Sequence, residues 1–294
     1  MTRHRLLTTS VAVLATALTA VAVPAMAGPP PGEITEFTVP TATGQLMGIA
    51  GGTDGNVWFV ETSAKKIGRV TPAGAFQEFP IPNNNDAWMI TAGPDGNMWF
   101  TQPGANQIGR VTSDGVFDEF AIPTPASLPY GIAAGPDGNV WFVENSANKI
   151  GRITPAGVVT EFDIPTPASN AYNIVTGDDG NLWFTENGAN TIGRISPTGT
   201  IHEFEVPTTS SLPDGITAGP DGNVWFTSEG TGDGYITPDG EVTLLNIAAA
   251  AFSVGPDGDM WYLGSTSQGS HRLVRIDTSG QVLADFPALS DAVV

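Results

Sequence analysis

The chain has 294 residues, room for one large domain or two small ones, and none of them is cysteine. Disulfides and thiolate metal sites are therefore excluded, and stability must come from packing. The balance of 11 Lys and Arg against 30 Asp and Glu gives a formal charge of −19, which repels nucleic acid and anionic lipid and sets nucleic-acid binding aside.

Residues 1–27 read as a secretory signal peptide. Arg3 and Arg5 form a basic head, residues 6–23 are apolar apart from scattered Thr and Ser, and Ala25-Met26-Ala27 has the A-x-A form of a cleavage site. The expected product is a secreted, extracellular domain of residues 28–294, acting as a monomer. No later stretch approaches the ~20 apolar residues of a spanning helix, so membrane insertion is not expected.

A strand is predicted at 34–39, and a repeat follows it. Trp58, Trp99, Trp141, Trp183, Trp225 and Trp261 are spaced by 41, 42, 42, 42 and 36 residues. Each sits in one frame, from Asn56-Val57-Trp58-Phe59 to Asp259-Met260-Trp261-Tyr262; Trp88 alone lies outside it. Residues 131–164 show the unit. A short apolar strand at 131–134 meets the turn Gly135-Pro136-Asp137-Gly138, in which Pro sets φ and Gly takes the positive φ. Strands follow at 139–144, 149–154 and 158–164, with Pro155-Ala156-Gly157 turning into the last. Four short strands in about 42 residues match one blade of a propeller. The expected fold is all-β, a β-propeller of six four-stranded blades, with seven as the alternative. The last repeat is trimmed: Ile164 to Ile174 is 10 residues, whereas the matching Ile247 to Phe252 is 5. Residues 34–39 and 281–286 are both candidates to close the ring, and the sequence leaves that choice open.

Because the strands are antiparallel, the start of strand one and the end of strand two share one end of a blade. Repetition around a channel is expected to put Trp88, Tyr130, Tyr172 and Asp214 on one rim as a small-molecule site. Glu61, Asp86, Glu144 and Glu186 would join them as oxygen ligands for a hard cation, Mg²⁺ or Ca²⁺. His202 takes a solvent-facing slot of an outer strand. His271 ends the longest loop between strands two and three, on the mouth side, where it could serve as a base. Arg69, Arg110, Arg152, Arg194 and Arg275 repeat in strand three, which points to bonding between blades. The Asp-Gly turns lack the acidic spacing of calcium loops, and turn chemistry explains them.

The segment from Gly215 to Thr227, reading GITAGPDGNVWFT, resembles the blade signature of the streptogramin B lyases, also called virginiamycin B lyases. So do Thr185–Ile195 (TENGANTIGRI) and Glu161–Pro167 (EFDIPTP). The resemblance implies a seven-bladed ring and a magnesium-dependent lyase that linearises a cyclic depsipeptide by elimination across its ester. It implies a His base opening a blade, an acidic metal ligand two residues earlier, and a metal Glu ending strand two. In this chain the His slot reads Met47, Trp88, Tyr130, Tyr172, Asp214 and Ala250. The slot two residues earlier is acidic at Asp86, and strand two ends in Glu at Glu61, Glu144 and Glu186. The expected function is a secreted propeller binding a small molecule or cell-surface component at one rim. A metal-dependent C–O lyase or lactone-type hydrolase, and a protein-interaction scaffold, are the alternatives.

Overall fold

Each Trp frame becomes the second strand of a four-stranded antiparallel sheet, because branched and aromatic residues alternating on a pleat can be buried on both faces. The computed structural model describes residues 37–41, 44–208, 211–230, 232–265 and 271–287. Residues 1–27, expected from the sequence to be a signal peptide, lie outside the described residues.

Blade 1 comprises β1 (Leu46–Gly51), β2 (Val57–Glu61), β3 (Lys66–Val70) and β4 (Phe76–Pro80). Blade 2 comprises β5 (Ile90–Ala92), β6 (Met98–Gln102), β7 (Gln107–Val111) and β8 (Phe117–Ala121). Blade 3 is β9 (Pro129–Ala134), β10 (Val140–Glu144), β11 (Lys149–Ile153) and β12 (Val159–Asp163). Blade 4 is β13 (Ala171–Thr176), β14 (Leu182–Glu186), β15 (Thr191–Ile195) and β16 (Ile201–Glu205). Blade 5 is β17 (Pro213–Ala218), β18 (Val224–Ser228), β19 (Gly234–Ile236) and β20 (Val242–Leu244). Blade 6 is β21 (Ala249–Val254), β22 (Met260–Ser265), β23 (His271–Ile276) and β24 (Val282–Pro287). The protein is thus a six-bladed, all-β propeller. Among the described residues helix is limited to single 3-10 turns at Pro82–Asn84 and Pro103–Ala105, and no helix there is long and apolar enough to cross a membrane.

The core lies between blades. Along β10, Trp141 and Val143 face blade 4, packing with Ala171, Ile174 and Phe184, while Val140 and Phe142 face Trp99 of blade 2. Phe142 lies across its own blade over Gly151, where a Cβ would fall 2.2 Å from the ring. The indole N–H of Trp141 donates to Asp137 at 3.0 Å, and Asn139 donates its side-chain and backbone N–H to the same carboxylate at 2.7 and 3.2 Å. Burial works against that charge, but these hydrogen bonds outweigh it and hold the Asp137 carboxyl below its usual range. The same turn recurs at Asp54, Asp95, Asp179 and Asp221. This occupies the Asp-Gly turns structurally.

The strand-three arginines join the blades, as their regular slot predicts. Arg152 stacks over Trp141, 5.4 Å from the ring centroid, and its Nη1 donates to the Pro197 carbonyl of blade 4 at 3.0 Å. Arg69, Arg110 and Arg194 reach Ser113, Pro155 and Pro238 of the following blades in the same way.

Inner strands pack in succession from β1 to β21, and no comparable packing joins β21 back to β1. Residues 37–39, the described part of the strand expected at 34–39, lie outside any strand, and β24 completes blade 6. Among the described residues neither candidate is paired across the ring: β24 pairs with β23 of its own blade, and residues 34–36 of the other candidate lie outside the described residues.

The five indoles from Trp58 to Trp225 are at most 1% exposed, whereas Trp261 is half-buried. Trp141→Ala is therefore expected to cost about 3–5 kcal/mol through lost burial and a cavity. Trp261→Ala should cost less by about 1 kcal/mol or more, since less indole area leaves water there on folding. Urea unfolding of the two variants measures both; equal losses would contradict the difference in packing.

Candidate functional site

The inner strands deviate from regular pairing at one place. In blade 3, Ile132 pairs with Phe142 and Pro129 with Glu144, so Tyr130 and Gly131 together oppose Val143. Equivalent irregularities enclose Met47, Tyr172, Asp214 and Ala250. A bulge re-aims the side chain it carries, and here it stands at the mouth end of five of the six blades, with β5 and β6 of blade 2 paired in regular register.

Trp88, Tyr130 and Tyr172 form one run across three blades. Trp88 meets Tyr130 edge to face with centroids 4.9 Å apart, and Tyr130 meets Tyr172 at 4.6 Å with the rings tilted by 35°. Asp86 accepts the Trp88 indole N–H at 3.3 Å at one end. At the other end stands Asp214, whose backbone carbonyl accepts from Asn173 Nδ2 at 3.2 Å and Thr185 Oγ1 at 2.9 Å. Burial and then the nearby Glu229 raise the Asp214 carboxyl above its usual range. Burial and then the Asp214 charge likewise raise the Tyr172 hydroxyl.

Beyond Asp214, between blades 5 and 6, a cavity of about 470 Å³ is lined by Glu229, Asp233, Leu245, Ile247, Ala249 and Ala250. It lies at the shortened connection of the last repeat. Asp233 is buried there, accepting the backbone N–H of Ser228 at 2.8 Å and of Ala249 at 2.7 Å. Asp233 is a residue that repeat-by-repeat reasoning passed over, because it sits in the irregular blade 5 loop. A second cavity of about 230 Å³ lies where all six inner strands meet, with Ile49, Ile90, Ile132, Ile174, Ile216 and Phe252 among its lining.

The strand-two glutamates do not stand at the mouth. Glu61, Glu144 and Glu186 are fully buried, and Asp86 is held beside Trp88 and over Gly104. Strand alternation is the cause: Glu144 shares the face of Val140 and Phe142, so it points between blades, towards Glu161 of its own outer strand. Thr124, entering from blade 2, donates its N–H and hydroxyl to Glu161 at 2.9 Å each, and Thr166 serves Glu203 at 3.0 Å. Among the described residues no group of three or more His, Cys, Asp or Glu side chains is placed to hold a metal ion. A shared magnesium or calcium site built from Glu61, Asp86, Glu144 and Glu186 does not fit this arrangement. His271 begins β23 opposite Ser265, and the loop residues 266–270 before it lie outside the described residues. His202 is exposed on β16, as its slot predicts.

Burial and then the Glu161 charge push the Glu144 carboxyl up to about 8; burial and then Glu203 push Glu186 up to about 8. Both groups hold a proton at neutral pH. Blade 2 has Gln102 in this slot, and its Nε2 donates to Glu119 Oε1 at 3.1 Å. The carboxyl oxygens of Glu144 and Glu186 have no hydrogen-bond partner within bonding geometry; a proton on each removes the charge that would face Glu161 or Glu203. Raised native pKa values mean the native state binds more protons than the unfolded chain between about pH 4.5 and 8, so stability falls across that window and levels off above it. Glu144→Gln and Glu186→Gln should each flatten the fall and raise the melting temperature at pH 8 by roughly 2–4 °C. Melting curves from pH 4 to 9 test this; unchanged slopes in both variants would count against the proton.

The sequence profile of the Virginiamycin B lyase family matches residues 12–88, 29–234 and 83–290. A solved streptogramin B lyase structure superposes with a TM-score of 0.80 at 34% identity, covering 87% of each chain. A catalytically inactive variant of virginiamycin B lyase from Staphylococcus aureus, solved with Quinupristin, does so at 0.80 and 35% identity, covering 88% of this chain and 89% of that one. The virginiamycin B lyase of Bordetella parapertussis is 40% identical over 53 residues, a match spanning 18% of either chain. Profile and superposition both run through the whole set of blades, and this chain is a member of the virginiamycin B lyase family.

Proposed function

We propose that the exported chain binds a compact small molecule of the cyclic-peptide or cyclic-ester class across its aromatic and acidic rim. The observation that carries this reading is the unbroken run Trp88–Tyr130–Tyr172, ending at Asp214 beside Glu229. Aromatic rings offer large rigid area to a macrocycle, and the two carboxylates favour a ligand carrying a cationic group. A family member solved with Quinupristin supports the ligand class. The bulges support it too, since they turn the variable residues of a regular scaffold towards one mouth. The charge of −19 argues for a neutral or cationic partner, and the same reading extends to such groups on a cell surface.

A second reading, elimination across a cyclic ester, rests on Asp214. It occupies the slot that the family resemblance assigns to a base, and its raised carboxyl suits proton abstraction better than an ordinary aspartate would. In that step Asp214 would take the proton from the carbon next to the one bearing the ester oxygen, the C–H pair would form the double bond, and the C–O bond would break to release a carboxylate, leaving Asp214 protonated.

Quinupristin distinguishes the readings. Titration calorimetry is expected to show binding that weakens about tenfold in Trp88→Ala and in Tyr130→Ala. Affinity unchanged in both variants would remove the rim as the site. Mass spectrometry of the incubated ligand is expected to return it intact. Linear product that disappears in Asp214→Asn would replace binding with catalysis.

A further inference from the structure

The end of strand two, the start of strand three and the middle of strand four bring polar side chains together on one face of a blade. In blade 1 these are Glu61, Lys66 and Glu78; in blade 4 they are Glu186, Thr191 and Glu203. A carboxylate held in such a compartment needs a cation or hydrogen-bond donors to offset its lost water.

The first three blades meet that need from their own sequence. In blade 1 the Lys66 ammonium donates to Glu78 Oε2 at 2.6 Å and to Thr41 Oγ1 at 2.8 Å, and the Thr41 hydroxyl donates to the same Glu78 oxygen at 2.8 Å. Glu61 stands close enough to feel both charges. Blade 2 supplies an amide, with Gln102 Nε2 on Glu119 at 3.1 Å. Blade 3 carries Lys149, whose ammonium rests on Asp163 at 2.5 Å within the fields of Glu161 and Glu144.

Blade 4 repeats the oxygens of blade 1 without the lysine. Thr166 donates its N–H to Glu203 Oε1 and its hydroxyl to Glu203 Oε2, both at 3.0 Å, as Thr41 does to Glu78. Glu186 stands beside Glu203 as Glu61 stands beside Glu78. The Lys66 slot is filled by Thr191, which brings no charge. Among the described residues neither Glu186 nor Glu203 has an ion-pair partner, whereas Glu78 has Lys66. Three enclosed oxygens here lack any bonding partner: both carboxyl oxygens of the fully buried Glu186, and Thr191 Oγ1 of a residue only 8% exposed. Ser169, fully buried in the loop that enters from blade 3, flanks the same carboxyl.

We propose that this compartment between blades 3 and 4 is a binding site for a monovalent cation of ammonium size, with potassium as the inorganic form. The ion would take the place that Lys66 Nζ holds in blade 1, between Glu203 Oε2 and Thr166 Oγ1. Glu186, Thr191 Oγ1 and Ser169 would complete a shell of oxygen atoms, the ligands a hard cation accepts in exchange for water. The single charge follows from the ammonium that serves blade 1. Such a site is independent of the aromatic rim, and it differs from a shared ion at the mouth in lying within one blade interface. Bound there, the ion would tie β14 and β16 to the loop that carries Thr166 and Ser169.

Melting curves at pH 7 test this, taken at equal ionic strength in potassium chloride and in tetramethylammonium chloride, whose cation is too large to enter. Potassium is expected to raise the melting temperature of the parent chain by about 2–4 °C. Thr191→Lys, which supplies the ammonium that blade 1 already has, should melt as high in either salt as the parent does in potassium. Glu203→Gln should melt alike in both salts, and since each variant is compared with itself, a general loss of stability does not obscure the result. A parent that melts alike in both salts would overturn the site and leave the compartment to water. A difference kept in either variant would also overturn it, by placing the ion elsewhere. Should Thr191→Lys not fold, crystals of the parent soaked in thallium(I), a potassium substitute, decide the matter. An anomalous peak between Glu186 and Glu203 supports the site, and its absence overturns it.

Discussion

The burial of one indole per repeat between consecutive blades is the constraint on which the rest of the fold depends. An indole enclosed on both faces leaves an N–H that must find an acceptor. The Asp of the turn four residues earlier meets that need, as Asp137 does for Trp141. A carboxylate so placed is costly to bury, and Asn139 and the neighbouring arginine offset that cost. The arginine also lies over the indole and bonds the next blade's turn. Four residue types in fixed spacing thus make each blade complete only when another stands beside it. An end blade is left with an apolar face, as Ile49 and Leu263 show.

The acidic composition has two destinations that sequence counting does not separate. Turn aspartates are held ionised by donors, as Asp137 is by Trp141 and Asn139. Strand-two glutamates are enclosed between blades and keep a proton, with Glu144 and Glu186 both pushed up to about 8. Gln102 fills the equivalent slot of blade 2 with an uncharged side chain. These carboxyls therefore serve blade packing. Asp214 and Glu229 form a third group, lying close to each other at the end of the aromatic run.

Function in such a protein is separated from the fold by the bulge. The repeat specifies the packed faces, and the bulge lets one residue per inner strand vary without disturbing them. Tyr130, Tyr172 and Asp214 occupy the same slot in three successive blades and still form a continuous surface. Shortening of the last connection opens a cavity next to that surface. The family resemblance extends through the scaffold, while the character of the site follows from these few positions.

The spacing of the tryptophans, the turn chemistry of Gly135-Pro136-Asp137-Gly138 and the arginine slot are local patterns, so the sequence by itself determined the blade, its four strands and the bonding of Arg152 to its neighbour. The same reasoning brought Trp88, Tyr130 and Tyr172 side by side, because antiparallel pairing fixes which ends of strands coincide. It misplaced the glutamates, because a residue's position along a strand does not say whether the neighbouring blade and the entering loop enclose it. Alternation with Phe142 gave the face of Glu144; only packing gave its enclosure by Glu161 and the loop carrying Thr124. The break beside blade 1 was also beyond the pattern, since six similar repeats are compatible with a closed ring or an open one. The angle between blades is set by side-chain volumes summed over every interface, and that sum exists only in the tertiary structure.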